Sequence, residues 1–264
     1  NFDNKGISKS PFLYNLLNKL ATLLDPLYFI LSKLTLLKAD HVIALNHVAK
    51  RELMSFGISE NKIKIIPFGI DLKKFSFTPY NKKNKKEFRL LVLGHLTKRK
   101  GVELVIKALK NVVVDHPEVH LTVIGDGPNR QELEELTNNL DIGKLVTFVG
   151  FVNYNRLAKH YQDAHALVSM SRAESWGQVY IDAMACGLPI ITSKNDGSNE
   201  IVIDSKFGYL IEQEDYLGLS RKINHLINHP KLATEFGLAA RQEVEKKYDW
   251  DKAVIPQYIE LYSS

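Results

Sequence analysis

Residues suited to chemistry are concentrated in four loops, each of which follows a predicted buried strand. The first loop runs from Gly94 to Gly101 and places His95 and three basic side chains, among them Lys100, just before a predicted helix. Free N–H groups and the positive dipole end of a helix N-terminus attract phosphate, and nearby cations strengthen that attraction. The loop therefore indicates an anion site, although basic surface loops that bind nothing have the same composition.

A later loop brings a carboxylate, hydroxyls and an aromatic ring to a predicted strand-to-helix junction. Glu174 lies in this loop and Asp182 follows eight residues later, which is about 12 Å if helical rise applies throughout. Two such carboxylates suit the opposite ends of an elongated polyhydroxylated ligand. With 30 acidic residues in 264, however, this spacing also arises by chance, so the pair alone identifies no function.

The other two loops are turn signals with weaker functional content. Gly125 to Pro128 has the sequence Gly-Asp-Gly-Pro, which predicts a tight turn or a close approach of the backbone to a ligand. Ser193 to Glu200 is polar and predicts a cap for a short helix. Its N–H groups would be further donors for an anion.

Alternating strands and helices must position these loops. Apolar segments predict strands at 88–93, 119–124, 145–149, 166–168, 188–192 and 209–211, with helices between them and over most of 215–262. Such alternation with short connections is typical of a parallel sheet covered by helices, a Rossmann-like domain. Ligands bind these sheets beyond the carboxyl ends of the strands, which is where all four loops lie.

The residues before this domain predict fewer elements. They are a helix over 13–38 broken near 25–26, a strand over 41–45, a helix from about 47 that ends at 57, and a strand over 62–66. Proline explains the break in the first helix, and Gly57 suits the end of the second. Lysine and asparagine dominate residues 76–86, which predicts a linker.

Composition excludes several protein classes. The 264 residues are 45% hydrophobic and 25% charged, which is typical of a globular protein rather than a disordered one. Cys186 is the single cysteine, so disulfide frameworks, zinc fingers and iron–sulfur clusters are excluded, and we interpret its thiol as a packed side chain. The sequence has no Walker loop, no Gly-x-Ser-x-Gly elbow and no acid-rich metal cluster. We therefore expect no metal and no cofactor.

Positive charge is concentrated near the start of the chain. Residues 1–86 hold 15 Lys and Arg against 6 Asp and Glu, whereas residues 87–264 hold 20 against 24. A basic segment attracts phosphates, nucleic acid or anionic lipid. No nucleic-acid-binding motif accompanies it, so we expect no nucleic acid partner. The Leu-rich residues 12–37 fit either core packing or an amphipathic helix on an anionic membrane surface.

Taken in order, the loops resemble the family 4 glycosyltransferases, which are retaining enzymes of the GT-B fold that use nucleotide sugars. The resemblance covers roughly residues 38–262 and rests on Ala39–Leu45, Ile66–Asp71, Gly94–Gly101, Val123–Pro128, Phe148–Gly150, Glu174–Pro189 and Glu200–Val202. Each segment is weakly specific, but the ordered set is highly specific. It implies an α/β architecture of GT-B type, with one complete Rossmann-like C-terminal domain and the tail of a second Rossmann-like domain.

The resemblance also implies roles for individual residues. Lys100 would bind the donor diphosphate, the catalytic residue Glu174 would contact the transferred sugar, and Asp182 would hold the ribose hydroxyls. The base would lie near Phe151 and Val152. The complete implied donor site is Gly94, His95, Lys100, Phe151, Val152, Glu174, Ser175, Trp176, Gly177, Gln178 and Asp182.

Three positions depart from the family pattern. His95 stands where the family usually has Arg, and Asp196 stands where a glycine is common. Asp182 replaces the usual Glu and is one methylene shorter, which predicts a longer or water-mediated ribose contact.

The family pattern divides the chain into four parts. Residues 1–75 would be the remnant of the acceptor-binding N-terminal domain, 76–86 a linker, 87–248 the donor-binding domain, and 249–264 a helix that crosses back to the N-terminal domain. The family has roughly twice as many residues before the donor domain. We therefore expect this chain to be a fragment with a donor site and at best feeble transferase activity.

The implied function is a retaining, hexosyl-type glycosyltransferase. It would move sugar from a nucleotide-sugar donor to a glycan or lipid-linked acceptor in cell-surface polysaccharide or glycolipid synthesis. Its implied location is the cytoplasm, with a peripheral contact at the inner membrane face. The departures at His95 and Asp182 keep a second hypothesis open, a catalytically inactive nucleotide-sugar-binding or partner subunit. A phosphorylase or epimerase of the same fold would need features that the sequence lacks.

Overall fold

The chain folds into two units, Asn1–Ile65 and Ile66–Ser264, and the computed structural model describes residues 30–80 and 86–263 of them. In the first unit a two-stranded parallel sheet is formed by β1 and β2, in which Val42 pairs with Ile63. Its elements are α1 over residues 30–38, β1 (Val42–Ala44), α2 (His47–Ser55) and β2 (Ile63–Ile65). The predicted helix break near residues 25–26 lies outside the described residues.

Local signals explain where α2 begins and ends. The Asn46 side chain accepts a hydrogen bond from the backbone N–H of Ala49 at 2.8 Å, so it satisfies one of the free donors of the first turn. Gly57 follows the helix with φ of +92°, a conformation that costs glycine little. The predicted helix and its glycine end are therefore confirmed.

The second unit is built on a six-stranded, all-parallel sheet with the order β5-β4-β3-β6-β7-β8. The strands are β3 (Phe88–Leu93), β4 (Val119–Ile124), β5 (Val146–Gly150), β6 (Ala166–Ser169), β7 (Ile190–Ser193) and β8 (Gly208–Ile211). The helices are α3 (Val102–Asp115), α4 (Arg130–Asn139), α5 (Tyr154–Asp163), α6 (Gln178–Ala185), α7 (Asp196–Ile201), α8 (Tyr216–Asn228), α9 (Pro230–Lys247) and α10 (Ile255–Ser263). All six predicted strands and the Rossmann-like architecture are confirmed.

Burial follows the expected periodicities. In β3 the alternate residues Phe88, Leu90 and Val92 belong to the main apolar core, as strand geometry requires for one face. In α3 the buried residues recur at helical spacing, as Val105 and Leu109 do. These two patterns hold α3 against the sheet and thereby fix where the loop between β3 and α3 emerges.

The strand order reverses between β3 and β6. The chain runs from β3 outward through β4 to β5, and then returns to place β6 on the other side of β3. Loops that leave β3 and β6 therefore diverge and open a crevice at the carboxyl ends of these strands, which is where open α/β sheets bind ligands.

The boundary between the units lies ten residues before the predicted one at 75. Phe75 is fully buried in the second unit, and its carbonyl accepts a hydrogen bond from Arg241 at 3.0 Å. Thr78 N–H donates to the Cys186 carbonyl at 3.2 Å, and Tyr80 packs against the main core. These contacts explain why residues 66–80 belong with the second unit and not with the first or with a free linker.

The C-terminal segment contacts the start of the same unit. Ile70 N–H donates to the Tyr248 carbonyl at 2.7 Å, and Trp250 N–H donates to the Ile70 carbonyl at 3.2 Å. A Cβ at Gly69 would lie 2.6 Å from the Trp250 ring, so glycine allows this close approach. A π-helical turn (Trp250–Val254) then leads into α10.

Across residues 30–80 and 86–263, we find no helix with the length and apolar character needed to cross a membrane.

Candidate functional site

Two glycine-containing loops pack backbone to backbone at one side of the crevice. A Cβ at Gly125 would lie 1.9 Å from the Gly94 carbonyl oxygen, and one at Gly127 would lie 2.5 Å from the Leu96 carbonyl oxygen. Leu96 N–H also donates to the Asp126 carbonyl at 2.9 Å. The close backbone approach predicted for the Gly-Asp-Gly-Pro turn is therefore made to the neighbouring loop.

The loops after β3 and β6 contact one another at the switch point, the place where the strand order of the sheet reverses. Gly101, which begins α3 with φ of +60°, lies so close to β6 that a Cβ there would be 2.1 Å from the Met170 carbonyl oxygen. Arg172 N–H donates to the Arg99 carbonyl at 2.8 Å, and the Arg99 guanidinium donates to the Ala173 carbonyl at 2.6 Å. Arg99 therefore holds the loop after β6 in place.

This contact brings Lys100 and Glu174 together as an ion pair. The Lys100 ammonium donates to Glu174 Oε2, and each side chain is only 16% exposed. Gly94 lies directly against Lys100, because a Cβ there would be 3.3 Å from the lysine Cε. An ion pair shielded in this way is screened less by salt than a surface pair. The cation and the carboxylate predicted to contact one donor thus lie side by side.

The loop after β7, which runs from Ser193 to Glu200, supports the loop after β6 that contains Glu174. The Ser193 hydroxyl and the Asn195 amide donate to the Ser171 carbonyl at 2.7 and 3.0 Å, and Gly197 N–H donates to the Glu174 carbonyl at 2.7 Å. Asn195 also caps α7 through a capping box with Ser198, so the predicted cap is confirmed. This loop therefore positions the Glu174 backbone.

A chain of side-chain hydrogen bonds begins at the start of α6. The Trp176 indole donates to Gln178 Oε1 at 3.1 Å, and Gln178 Nε2 donates to Asp182 Oδ1 at 3.1 Å. Because an indole N–H can only donate, it fixes the orientation of the Gln178 amide. Gly177 precedes the helix with φ of +84°, which lets the chain turn sharply after Trp176.

Asp182 is 2% exposed and has only neutral hydrogen-bond donors close to it. Besides Gln178, the Tyr154 hydroxyl donates to Asp182 Oδ1 at 3.4 Å. Burial raises the pKa of Asp182 to about 6, although the side chains of Gln178, Tyr154 and Tyr161 and, least of all, the charge of Lys74 oppose the rise. The carboxyl predicted to hold ribose is therefore a buried acid whose pKa is raised above that of a solvated aspartate.

The other predicted residues lie around these two groups. His95 is exposed, and its Nδ1 contacts the Asp126 carbonyl at 2.6 Å, so this nitrogen carries a proton. Phe151 follows β5 and is 82% exposed, whereas Val152 is half-buried. Ser175 is exposed on the loop after β6. The structure thus groups Gly94, Lys100 and Glu174, and separately Trp176, Gln178 and Asp182, while their roles remain predictions.

The aromatic residues around Trp176, Gln178 and Asp182 were not predicted from the sequence. Trp176 has edge-to-face contacts with Phe68 at 6.4 Å and Tyr248 at 6.1 Å between ring centroids. Tyr154 was also missed, although its position three residues after Phe151 was a usable signal.

A histidine pair was overlooked as well. His225 and His229 are four residues apart at the end of α8, and their rings stack with centroids 4.2 Å apart. Tyr209 hydrogen-bonds His225 Nδ1 at 2.8 Å, and burial, His229 and Lys222 lower the pKa of His225. In the part of the chain that the structure describes, no group of three or more His, Cys, Asp or Glu residues could hold a metal ion.

Comparison with known families identifies both parts of the chain. Residues 74–243 match the family described as Glycosyl transferases group 1, and residues 10–74 match Glycosyltransferase Family 4. The chain is 31% identical over 182 residues to alpha-monoglucosyldiacylglycerol synthase of Streptococcus pneumoniae, covering 65% of this chain and 41% of the relative. It is 30% identical over 199 residues to glycogen synthase of Mycobacterium tuberculosis, covering 75% of this chain and 47% of that relative.

Solved structures agree on the architecture. Sucrose-phosphate synthase from Thermosynechococcus elongatus is 29% identical with a TM-score of 0.76, covering 89% of this chain and 60% of that one. HepE of Anabaena, solved with UDP and glucose, is 21% identical with a TM-score of 0.74, covering 85% and 63%, and its likeness concerns the fold alone. The chain spans about half the length of the curated relatives it matches. On these matches, the chain belongs to the group 1 and family 4 glycosyltransferases of the GT-B fold.

Proposed function

We propose that the protein transfers a sugar from a nucleotide-sugar donor to a glycan or lipid-linked acceptor with retention of configuration. The observation that carries the proposal is the shielded Lys100–Glu174 pair at the switch point of the sheet. A cation here faces the place where a parallel α/β sheet binds phosphate-containing ligands. The carboxylate next to it is suited to hydrogen-bond the hydroxyls of the attached sugar.

The chemistry places negative charge beside Lys100. As the bond between the anomeric carbon and the diphosphate oxygen breaks, the departing diphosphate gains negative charge. The Lys100 ammonium and the N–H groups at the start of α6 would stabilise that charge, since fixed donors in a shielded site need little reorganisation. In a retaining transfer the acceptor oxygen bonds to the anomeric carbon on the face that the diphosphate leaves. The acceptor hydroxyl proton then passes to a phosphate oxygen.

Glu174 would have two states in this scheme. Without donor it neutralises Lys100, so neither charge is left unpaired in a site that is only 16% exposed. When a donor diphosphate binds the Lys100 ammonium instead, the Glu174 carboxylate becomes available to the transferred sugar. Charge balance therefore supports a Lys100 side chain that pairs with Glu174 in the free protein and with the diphosphate in the complex.

The relatives support more than one class of acceptor. The pneumococcal relative is named for a glycosylated diacylglycerol and the mycobacterial one for a polysaccharide. We propose transfer of a hexosyl group to an acceptor within that range, carried out in the cytoplasm. A peripheral contact between the basic N-terminal region and an anionic inner membrane face is part of the same proposal.

The first test is nucleotide binding measured by thermal unfolding. The panel is the diphosphates and nucleotide sugars of uridine, guanosine, adenosine, thymidine and cytidine. A ligand at 100 times its dissociation constant is expected to add about 2.7 kcal/mol of stability. Lys100→Ala should lose this gain, whereas Lys107→Ala, on the exposed side of α3, should keep it. A gain that survives Lys100→Ala, or no gain with any nucleotide, would contradict the proposal.

The alternative is an inactive nucleotide-sugar-binding or partner subunit, and the near-complete burial of Asp182 favours it. Turnover separates the two functions, because a pure binding protein has none to lose.

A further inference from the structure

The acid predicted to hold ribose has almost no surface to offer a ligand. Asp182 is 2% exposed, and its Oδ1 already accepts hydrogen bonds from Gln178 at 3.1 Å and Tyr154 at 3.4 Å. The one-methylene loss relative to glutamate also shortens its reach. A ribose hydroxyl therefore needs another group between itself and this carboxyl.

Tyr154 has the position and the exposure for that task. It is the first residue of α5, is 44% exposed, and follows Phe151 by three residues. Its ring contacts the fully buried Phe75 with centroids 5.2 Å apart. The Lys74 ammonium lies 4.4 Å from the ring centroid and donates to Asn155 Oδ1 at 2.5 Å. The ring is therefore held between an apolar contact and a cation, and its hydroxyl is directed to Asp182.

We propose that Tyr154 is the residue that contacts the ribose of the nucleotide, with its hydroxyl donating to Asp182 and accepting from a ribose hydroxyl. A phenol can donate and accept at the same time. Asp182 is then a positioning residue that acts through Tyr154. The inference rests on the proposed function and adds a specificity-determining residue to it.

A second tyrosine beside the same carboxyl offers a matched control. Tyr161 is fully buried, and its hydroxyl interacts with the Asp182 carboxyl without reaching the geometry of a well-formed hydrogen bond. Tyr161→Phe therefore removes the same atom beside the same carboxyl, but from a side chain that no ligand can reach.

The experiment measures calorimetric dissociation constants for a nucleoside diphosphate and for its 2′-deoxy and 3′-deoxy forms. The wild-type protein is expected to prefer the ribose form by about tenfold, the effect of one hydrogen bond of about 1.4 kcal/mol. Tyr154→Phe should reduce this preference to near unity while leaving the affinity for the deoxy form unchanged. Tyr161→Phe should keep the preference. Asp182→Glu combined with Tyr154→Phe should restore it, because the longer acid reaches the ribose directly.

The outcomes separate the two proposals. If the wild-type protein binds the ribose form preferentially and Tyr154→Phe retains that preference, only the role of Tyr154 is wrong. Equal weakening of ribose and deoxy forms would assign Tyr154 a structural role and also overturn the inference. If the wild-type protein binds none of these nucleotides, the proposed function fails and the inference fails with it.

Discussion

Glu174 and Asp182 are eight residues apart in one motif, yet their surroundings differ in kind. Glu174 lies in a loop, 16% exposed, with a lysine ammonium against its carboxylate. Asp182 lies within α6, 2% exposed, and accepts from an amide and a phenol. One acid has a full counter-charge close by and the other has only dipoles.

This difference teaches that motif spacing does not fix the electrostatic state of a site. Neutral donors only partly replace the hydration that Asp182 loses, so burial prevails and the pKa rises to about 6. Lys74 has the smallest of the opposing effects on Asp182, and its ammonium donates to Asn155. The two ends of the site are therefore expected to respond differently to mutation and pH.

The largest effect is expected from Glu174→Gln. If the carboxylate contacts the transferred sugar, turnover should fall by about 10²–10³-fold, as for loss of a preorganised electrostatic contact, while nucleotide affinity changes much less. Steady-state kinetics and calorimetry measure the two quantities. Glu245→Gln breaks another ion pair, with Arg241 on α9, and should leave turnover intact. A parallel loss of affinity and turnover would contradict the catalytic role, and an absence of turnover in the wild-type protein would favour the inactive subunit.

The next effect is a change in pH dependence from Asp182→Asn. Between pH 4 and 6 the unfolded state loses the Asp182 proton while the folded state keeps it, so wild-type stability should fall as pH rises through this window. A shift from 3.8 to about 6 amounts to about 3 kcal/mol, and the loss is complete above pH 6. The Asn variant should lack this loss.

Denaturant unfolding of both proteins at pH 4, 5, 6 and 7 measures the difference. Asp115→Asn, at an exposed end of α3, controls for removal of an acid as such. Parallel stability curves for wild type and Asp182→Asn would show that burial does not dominate at Asp182.

The smallest effect is expected from Gln178→Met. This variant removes the amide that donates to Asp182 and accepts from Trp176, so the Asp182 pKa should rise further. The net stability cost should be about 1 kcal/mol, typical of a neutral hydrogen bond. Carbon-13 titration of the carboxyl by NMR reports the direction. A fall in the pKa would mean that the amide does not stabilise the ionised form.

The fold could be predicted from the sequence where apolar segments are bounded by glycine or proline. The strands Phe88–Leu93 and Val119–Ile124 have the predicted bounds, because each is a short buried run between polar turns. The cap at Asn195 was readable for a similar reason, since its partner is three residues away. Local signals of this kind need no knowledge of the tertiary structure.

The site was only partly readable, since its contacts join distant residues. Lys100 and Glu174 are 74 residues apart, and they meet because Gly101 allows contact with the Met170 backbone. No local pattern announces that Tyr154 approaches Asp182, or that Phe75 is buried in the second unit. These facts depend on the order of strands and on packing between loops.

Residues 66–80 also bear on how this fold can be divided or recombined. A Cβ at Gly187 would lie 2.4 Å from the Phe77 ring, and Tyr80 stacks edge-on with His165. A chimera joined at residue 87, just before the first strand of the large sheet, would replace the rings of Phe77 and Tyr80. The apolar surface that these rings cover would then be exposed to water. A junction at Ile66 keeps residues 66–80 with the surface that they cover, so chimeras between relatives should be joined there.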